Sequence, residues 1–380
     1  MTKEDFFQKI QQQLKAQKAF VCYRKPGQAL SNLLLQQDYT AHELTDFSEN
    51  GFVFAPFDRN GKTYFIPQNT SEIIQFELPE VLITDEETSS DYEGSYVRAE
   101  EDQKDHELLV QKGIDAIRDQ RFRKVVLSRS ELVELNDPSP MPIFKKLLQK
   151  YREAFVYCWF HPKTGLWMGA TPETLLQVER DRFETMALAG TQVNKGQEQI
   201  EWGQKELEEQ LLVTDFILNA LEGLPEIKIG EISKPYSAHA GTLLHIRTDI
   251  SGKVSQAEDQ SKLIEALHPT PAVCGLPRKE ALEFIQKHEH YDREYYSGFL
   301  GELNFKTEKK RNGNRRNQEN QQFSAILKQT SLYVNLRCMK LKDGDARIYI
   351  GGGITRDSDP AHEWMETVNK AQTMKSVLVK

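Results

Sequence analysis

The stretch Lys342-Asp343-Gly344-Asp345 lies between two runs of strand-forming residues, 324–339 (SAILKQTSLYVNLRCM) and 347–350 (RIYI). Asp-Gly flanked by such runs is a strong hairpin signal, because both residues tolerate the positive φ that a tight turn needs. A hairpin makes neighbouring strands antiparallel. The same signal recurs at Lys163-Thr164-Gly165, between the runs 154–160 and 166–169, and at Asn60-Gly61, before 63–66 (TYFI). Outward from these turns, strands and helices interleave irregularly and not as strand–helix–strand repeats. The pattern predicts an α+β fold and argues against a doubly wound parallel sheet.

Strands are also predicted at 51–55, 124–129, 242–250 and 298–305. The spacing predicts helices over 107–120, 143–152, 200–221, 256–267 and 278–288. A first helix carries Phe6, Phe7, Ile10 and Leu14 on one face. A last helix starts at Asp359-Pro360, an N-cap followed by proline at its first position. Residues 84–107 are acidic and rich in Ser and Thr, as in a linker or a surface crossing. Residues 306–322 (KTEKKRNGNRRNQENQQ) are basic, lack apolar side chains and read as a mobile hairpin insertion. No aromatic interleaves there, which disfavours a nucleic-acid patch.

The 380 residues carry Asp+Glu 57 against Lys+Arg 49, a net charge of −8. Such a chain is a poor partner for nucleic acid or an anionic membrane, so an anionic ligand would need local positive charge. Cys22, Cys158, Cys274 and Cys338 are widely spaced and contain no C-x-x-C pair. That disfavours a disulfide framework or a zinc site and fits a reducing compartment. The first 18 residues contain no apolar core of a signal peptide, and no apolar run approaches the ~18 residues of a membrane span. A cytoplasmic location is expected.

Two stretches carry glutamates at i,i+3, Glu206 with Glu209 and Glu363 with Glu366. Each pair lies on one helical face. Separately they read as solvated acidic faces. Together they could offer a hard divalent cation several oxygens, and Mg²⁺ takes one or two carboxylates plus water and an anionic substrate. Lys370, one turn beyond Glu366, is either a helix ion pair or a hand for a substrate carboxylate. Gly351, Gly352 and Gly353 follow a strand and read as a tight turn or as a close backbone approach to an anion. Lys124 opens an apolar strand as a snorkelling edge lysine or as a general base. Glu173 follows a strand and a proline, and in an apolar pocket such a carboxyl can stay protonated and act as a general acid. His245, within an alternating strand, reads as a satisfied core residue. Arg337, in a mostly apolar strand, needs an anion if it points inward.

Eight segments in a fixed order resemble the chorismate-utilising enzymes: 124–129 (KVVLSR), 169–173 (GATPE), 188–191 (LAGT), 267–272 (LHPTPA), 291–294 (YDRE), 336–338 (LRC), 351–354 (GGGI) and 363–367 (EWMET). The resemblance covers about 100–380, whereas 1–95 is a divergent part. It implies one large domain over 1–380, with a β-sandwich-like core flanked by helices and Mg²⁺ beside chorismate. By motif, Glu209 and Glu366 would be direct metal ligands, with Glu206 and Glu363 holding metal waters. Lys124 would be the base that activates water for attack at ring C2, and Glu173 the acid that protonates the departing C4 hydroxyl. Arg337 and Gly351–Gly353 would hold carboxylates, with Lys370 assisting. Gly190, Thr191, His245 and Ala272 would line the ring pocket. Gln210 departs from a histidine often found beside the metal ligand.

Within the family, Lys124 is similar to the water-using members, isochorismate and salicylate synthases. Ala189 stands where aminodeoxychorismate synthases place a nucleophilic lysine, and the tryptophan-binding motif of anthranilate synthases is not evident. The resemblance therefore implies reversible conversion of chorismate to isochorismate, for menaquinone or siderophore biosynthesis, with salicylate formation as the alternative. It implies no obligatory protein partner and is compatible with a monomer.

Overall fold

A computed structural model describes residues 1–79, 82, 99–193, 200–240, 243–255, 259–309 and 325–378. The described residues form eighteen strands and seven helices. Nine strands make one sheet, in the order β14 (Gly275–Leu276), β6 (Lys124–Glu134), β18 (Asp345–Ile354), β17 (Cys338–Lys342), β8 (Gly165–Thr171), β7 (Phe155–His161), β1 (Phe20–Arg24), β2 (Leu30–Gln36) and β5 (Ser71–Glu77). The second sheet runs β11 (Ile227–Ile232), β13 (Leu243–Val254), β10 (Arg182–Val193), β9 (Thr174–Glu179), β16 (Ala325–Val334), β15 (Phe299–Lys309), β3 (Gly51–Ala55) and β4 (Tyr64–Pro67), with β12 (Tyr236–Ala240) also paired to β13.

The sheets pack face to face over an aromatic layer that includes Tyr23, Phe54, Trp159, Trp167, Tyr333 and Tyr349. Their outer faces are covered by helices. The first sheet buries α1 (Lys3–Lys15), α3 (Pro140–Lys150) and α7 (Pro360–Lys375). The second buries α4 (Gln204–Glu222) and α5 (Gln260–Leu267). α2 (Ala99–Arg118) and α6 (Arg278–His288) close over β6. This is the α+β sandwich that the hairpin signals imply. The N-terminal strands are woven into both sheets: β1 pairs with β7, and β3 pairs with β15.

Three local readings need correction. The run 324–339 is not one strand. It breaks at Asn335-Leu336-Arg337, so that β16 belongs to one sheet and β17 to the other. Arg337 takes φ +48 at this crossing. Gly351–Gly353 is not a loop after a strand but part of β18, paired with Ser128, Leu127 and Val126 of β6. α2 starts at Ala99, well before 107, and Glu100, Glu101 and Asp102 complement its N-terminal dipole. Of the acidic stretch, 84–98 lies outside the described residues. Of the basic stretch, 306–309 belongs to β15 and 310–322 lies outside the described residues.

Candidate active site

Period-2 alternation along β6 sends Lys124 and Val126 to one face and Val125 and Leu127 to the other, where they join the α2–α6 core. Val126 lines a cavity, together with Glu173, Gly190, His245, Arg337 and Glu366 among others. Two helices bring acids to it. α4 is fixed to the second sheet through Val213, Ile217 and Leu221, and Gln210 donates to Thr248 Oγ1 of β13 at 2.7 Å. Gln210 therefore serves this anchor. α7 is capped by Asp359, which accepts from the His362 amide at 2.9 Å. Arg129 of β6 holds α7 from behind, donating from Nε to Thr367 Oγ1 at 2.8 Å and stacking 4.3 Å over the Trp364 ring.

Glu209, Glu363 and Glu366 converge beside the glycines of β18. A Cβ on Gly353 would overlap Glu209 Oε1, whereas one on Gly352 would lie 3.6 Å from Glu363 Oε2 and 3.7 Å from Glu366 Oε1. These glycines leave room for the carboxylates. Each acid is met by a lysine: Lys124 Nζ stands 2.9 Å from Glu209, Lys205 2.5 Å from Glu363, and Lys370 2.5 Å from Glu366. Lys370 also donates to the Gly351 carbonyl at 3.1 Å. Lys124 is fully buried one layer behind the lining, its Cε 3.1 Å from the site of a Gly353 Cβ. Glu206 is oriented differently. Its carboxylate turns to Gly203 at the start of its own helix, and its Cβ packs against Gly190.

Burial acts differently on these acids. Glu173 is 4% exposed; burial raises it to about 8, against the opposing charges of Lys124 and Arg337, so it is protonated at neutral pH. Burial also pushes Glu366 up, but Lys370 and then Lys205 outweigh it and hold the group below the usual carboxylate range. Burial and the neighbouring Glu366 raise Glu363, and Lys205 opposes them.

His245 lines the cavity. Burial first, then the Arg337 charge, lowers it to about 3, so the ring is neutral. Its Nδ1 donates to the Gly190 carbonyl at 2.8 Å, which leaves Nε2 to accept from Arg337 Nη2 at 3.4 Å. Thr191 Oγ1 lies 3.3 Å from the same Nδ1. Arg337 Nη1 donates to Thr373 Oγ1 at 3.2 Å. Its guanidinium thus faces the cavity between a neutral imidazole and a hydroxyl, an arrangement suited to a carboxylate. Ala272 is also part of the lining.

Among the described residues no three His, Cys, Asp or Glu side chains stand close enough to hold a metal ion as they are. The donor set still fits a hard cation. Three carboxylates converge, and the buried Oε2 of Glu363 makes no hydrogen bond. Tyr296, Ser297, Val273, Leu336 and Met374 also line the cavity without a sequence signal that singled them out. Arg129 had a usable one: an arginine inside an apolar strand must find a partner, as was argued for Arg337.

Two chorismate binding enzyme models match the chain, one over residues 66–310 and one over 326–376. A salicylate biosynthesis isochorismate synthase of Pseudomonas aeruginosa is 32% identical over 281 residues, 72% of this chain and 54% of that protein. The Bacillus anthracis protein DhbC superposes with a TM-score of 0.75 at 23% identity, over 97% of this chain and 98% of that one. MenF, the menaquinone-specific isochorismate synthase of Escherichia coli, superposes at 0.73 and 20%, over 95% and 89%. The chain spans about half the length of the curated relatives it matches. The longer family match alone takes in well over half of the chain, from β4 into β15. The chain belongs to the chorismate binding enzyme family.

Proposed function

We propose that this protein is an isochorismate synthase, converting chorismate reversibly to isochorismate in the presence of Mg²⁺. The reading rests above all on one contrast: Glu173 and Glu366 line the same cavity, yet burial keeps Glu173 protonated while the lysines keep Glu366 ionised. Titratable groups pushed apart in this way mark an acid and an anionic site. The names of the relatives point the same way.

Arg337, set by His245 and Thr373, binds one carboxylate of the substrate, and Lys370 assists at the glycine end. Glu209, Glu363 and Glu366 would hold Mg²⁺, with Glu206 contributing if its side chain turns inward. When bound, the cation supplies positive charge against the second carboxylate. The amine of Lys124 takes a proton from the water that bonds to C2. The ring double bonds shift, the C4–O bond breaks, and Glu173 gives its proton to the departing hydroxyl, which leaves as water. In reverse, the two residues exchange roles. The four free cysteines are all buried, in keeping with a reducing cytoplasm. Among the described residues no helix is long and apolar enough to cross a membrane.

Incubation of the purified protein with chorismate and Mg²⁺, followed by separation of products, tests the reading. Isochorismate alone supports it. Salicylate with pyruvate would move the protein to the salicylate synthases, and unchanged chorismate would remove the activity altogether.

A further inference from the structure

Lys205 is the one lysine at the carboxylate cluster that the proposed chemistry does not use. It lies in the first turn of α4, where the helix dipole disfavours a cation. It is also four residues before Glu209, the less favourable order for a helical ion pair. Helix stability therefore does not explain a lysine at this position, but its tertiary contact does. Nζ donates to Glu363 Oε1 at 2.5 Å, joining helices 158 positions apart in the chain. The charges of Glu366 and Glu209 act on it as well. Glu363 is only 1% exposed, and its second oxygen makes no hydrogen bond. Without Lys205 it would be a buried carboxylate with no cation directly on it. The Lys205 side chain, in contrast, is 31% exposed and can swing into water without unpacking the helix.

We propose that Lys205 is a built-in counter-ion of the carboxylate site: in the metal-free protein its ammonium neutralises Glu363, and an incoming divalent cation must displace it. This rests on the reading that Glu209, Glu363 and Glu366 hold Mg²⁺. The metal-free cluster pairs three carboxylates with three ammonium groups. Lys124 and Lys370 have work at the substrate, so Lys205 is the cation free to leave. The device keeps the fold stable before metal arrives and weakens metal affinity by the cost of parting the pair.

The test uses Lys205→Met, which keeps the apolar stem, and Lys205→Arg, which keeps the charge. Binding of Mg²⁺ alone is measured by calorimetry without substrate, and thermal unfolding with and without Mg²⁺. Metal-free Lys205→Met should melt below wild type, because Glu363 has lost its cation. It should bind Mg²⁺ more tightly, by about tenfold or more, as expected when a close rival charge is removed, and Mg²⁺ should raise its melting point further than it raises that of wild type. Lys205→Arg should restore the metal-free melting point. Unchanged melting and unchanged affinity in Lys205→Met would reduce the contact to a surface ion pair. Weaker binding would make Lys205 a support of the metal and not its rival. A lowered melting point with no Mg²⁺ uptake by either protein would instead defeat the metal reading, and displacement with it.

Discussion

Lys124 Nζ stands 2.9 Å from Glu209 Oε1, joining the first residue of β6 to the second turn of α4. The lysine is fully buried and Glu209 is its charge partner. The strand carries the amine to the base of the cavity, and the helix carries the carboxylate to its wall.

Lys124→Met tests the amine while keeping most of its packing. Loss of a general base costs about 10²–10⁴-fold in rate, so turnover of chorismate should fall by that order. Circular dichroism should remain that of the wild type. The melting point should drop by a few degrees, because Glu209 loses its ion pair but retains some access to water. Turnover within tenfold of wild type would take Lys124 out of the chemistry.

Glu173 predicts a pH dependence whose sign follows from burial. Its folded-state pKa, about 8, lies above the ordinary carboxyl value of 4.5. The folded protein therefore holds this proton more tightly than the unfolded chain does. The resulting stability is fully present below about 4.5 and is lost as pH rises towards 8. Activity in the forward direction needs the protonated form, so kcat/KM should fall above pH 8. Glu173→Gln should cost about 10²–10⁴-fold in rate and should remove both the basic limb and the stability slope between pH 5 and 8. A basic limb that survives in the variant would belong to another group.

The Arg337–His245 pair predicts a change in substrate binding with little change in chemistry. The neutral ring fixes the guanidinium by accepting at Nε2 while Nδ1 is held by the Gly190 carbonyl. Arg337→Lys keeps the charge and loses the planar fork. A charge-assisted hydrogen bond contributes about 1.5–3 kcal/mol, so KM for chorismate should rise roughly 10–100-fold, with kcat changed far less. His245→Ala should move KM in the same direction. His245 is neutral throughout the working range, so neither kcat nor KM should show a titration of this ring between pH 5 and 8. An equal fall in kcat would mean that Arg337 acts on the transition state.

The sandwich was legible because its cues are local. The Asp343-Gly344 turn, the Gly165 turn and the Asp359 cap each fix a few backbone angles by themselves. The site was legible only through family order, since no spacing brings residue 209 to residues 363 and 366. Two misreadings share one physical cause. The run 324–339 looks like a single strand because Asn335 and Arg337 interrupt an otherwise strand-like series. Only the crossing between sheets, with Asn335 fixed by Tyr157 and the Tyr295 carbonyl, shows the break. Gly351–Gly353 looks like a turn because three glycines weaken a strand. Here β6 on one side supplies a continuous ladder, and the missing side chains make room for acids carried by two distant helices.

That use of glycine separates two neighbouring substitutions. A Cβ at position 353 would collide with Glu209 Oε1 and come within 3.1 Å of Lys124 Cε. The carboxylate is the far end of a flexible side chain, so it can move aside at small cost in stability. What it loses is its place in the cluster and beside Lys124. A Cβ at position 352 meets Glu363 and Glu366 oxygens only at 3.6 and 3.7 Å, ordinary contact distances. Gly353→Ala should therefore fold with a near-wild-type melting point, yet lose most Mg²⁺ binding and most turnover. Gly352→Ala should keep both within a few-fold of wild type. Calorimetry with Mg²⁺ and a product assay on the two variants check the contrast. Equal behaviour of the pair would mean that the glycines serve the strand and not the acids that crowd against it.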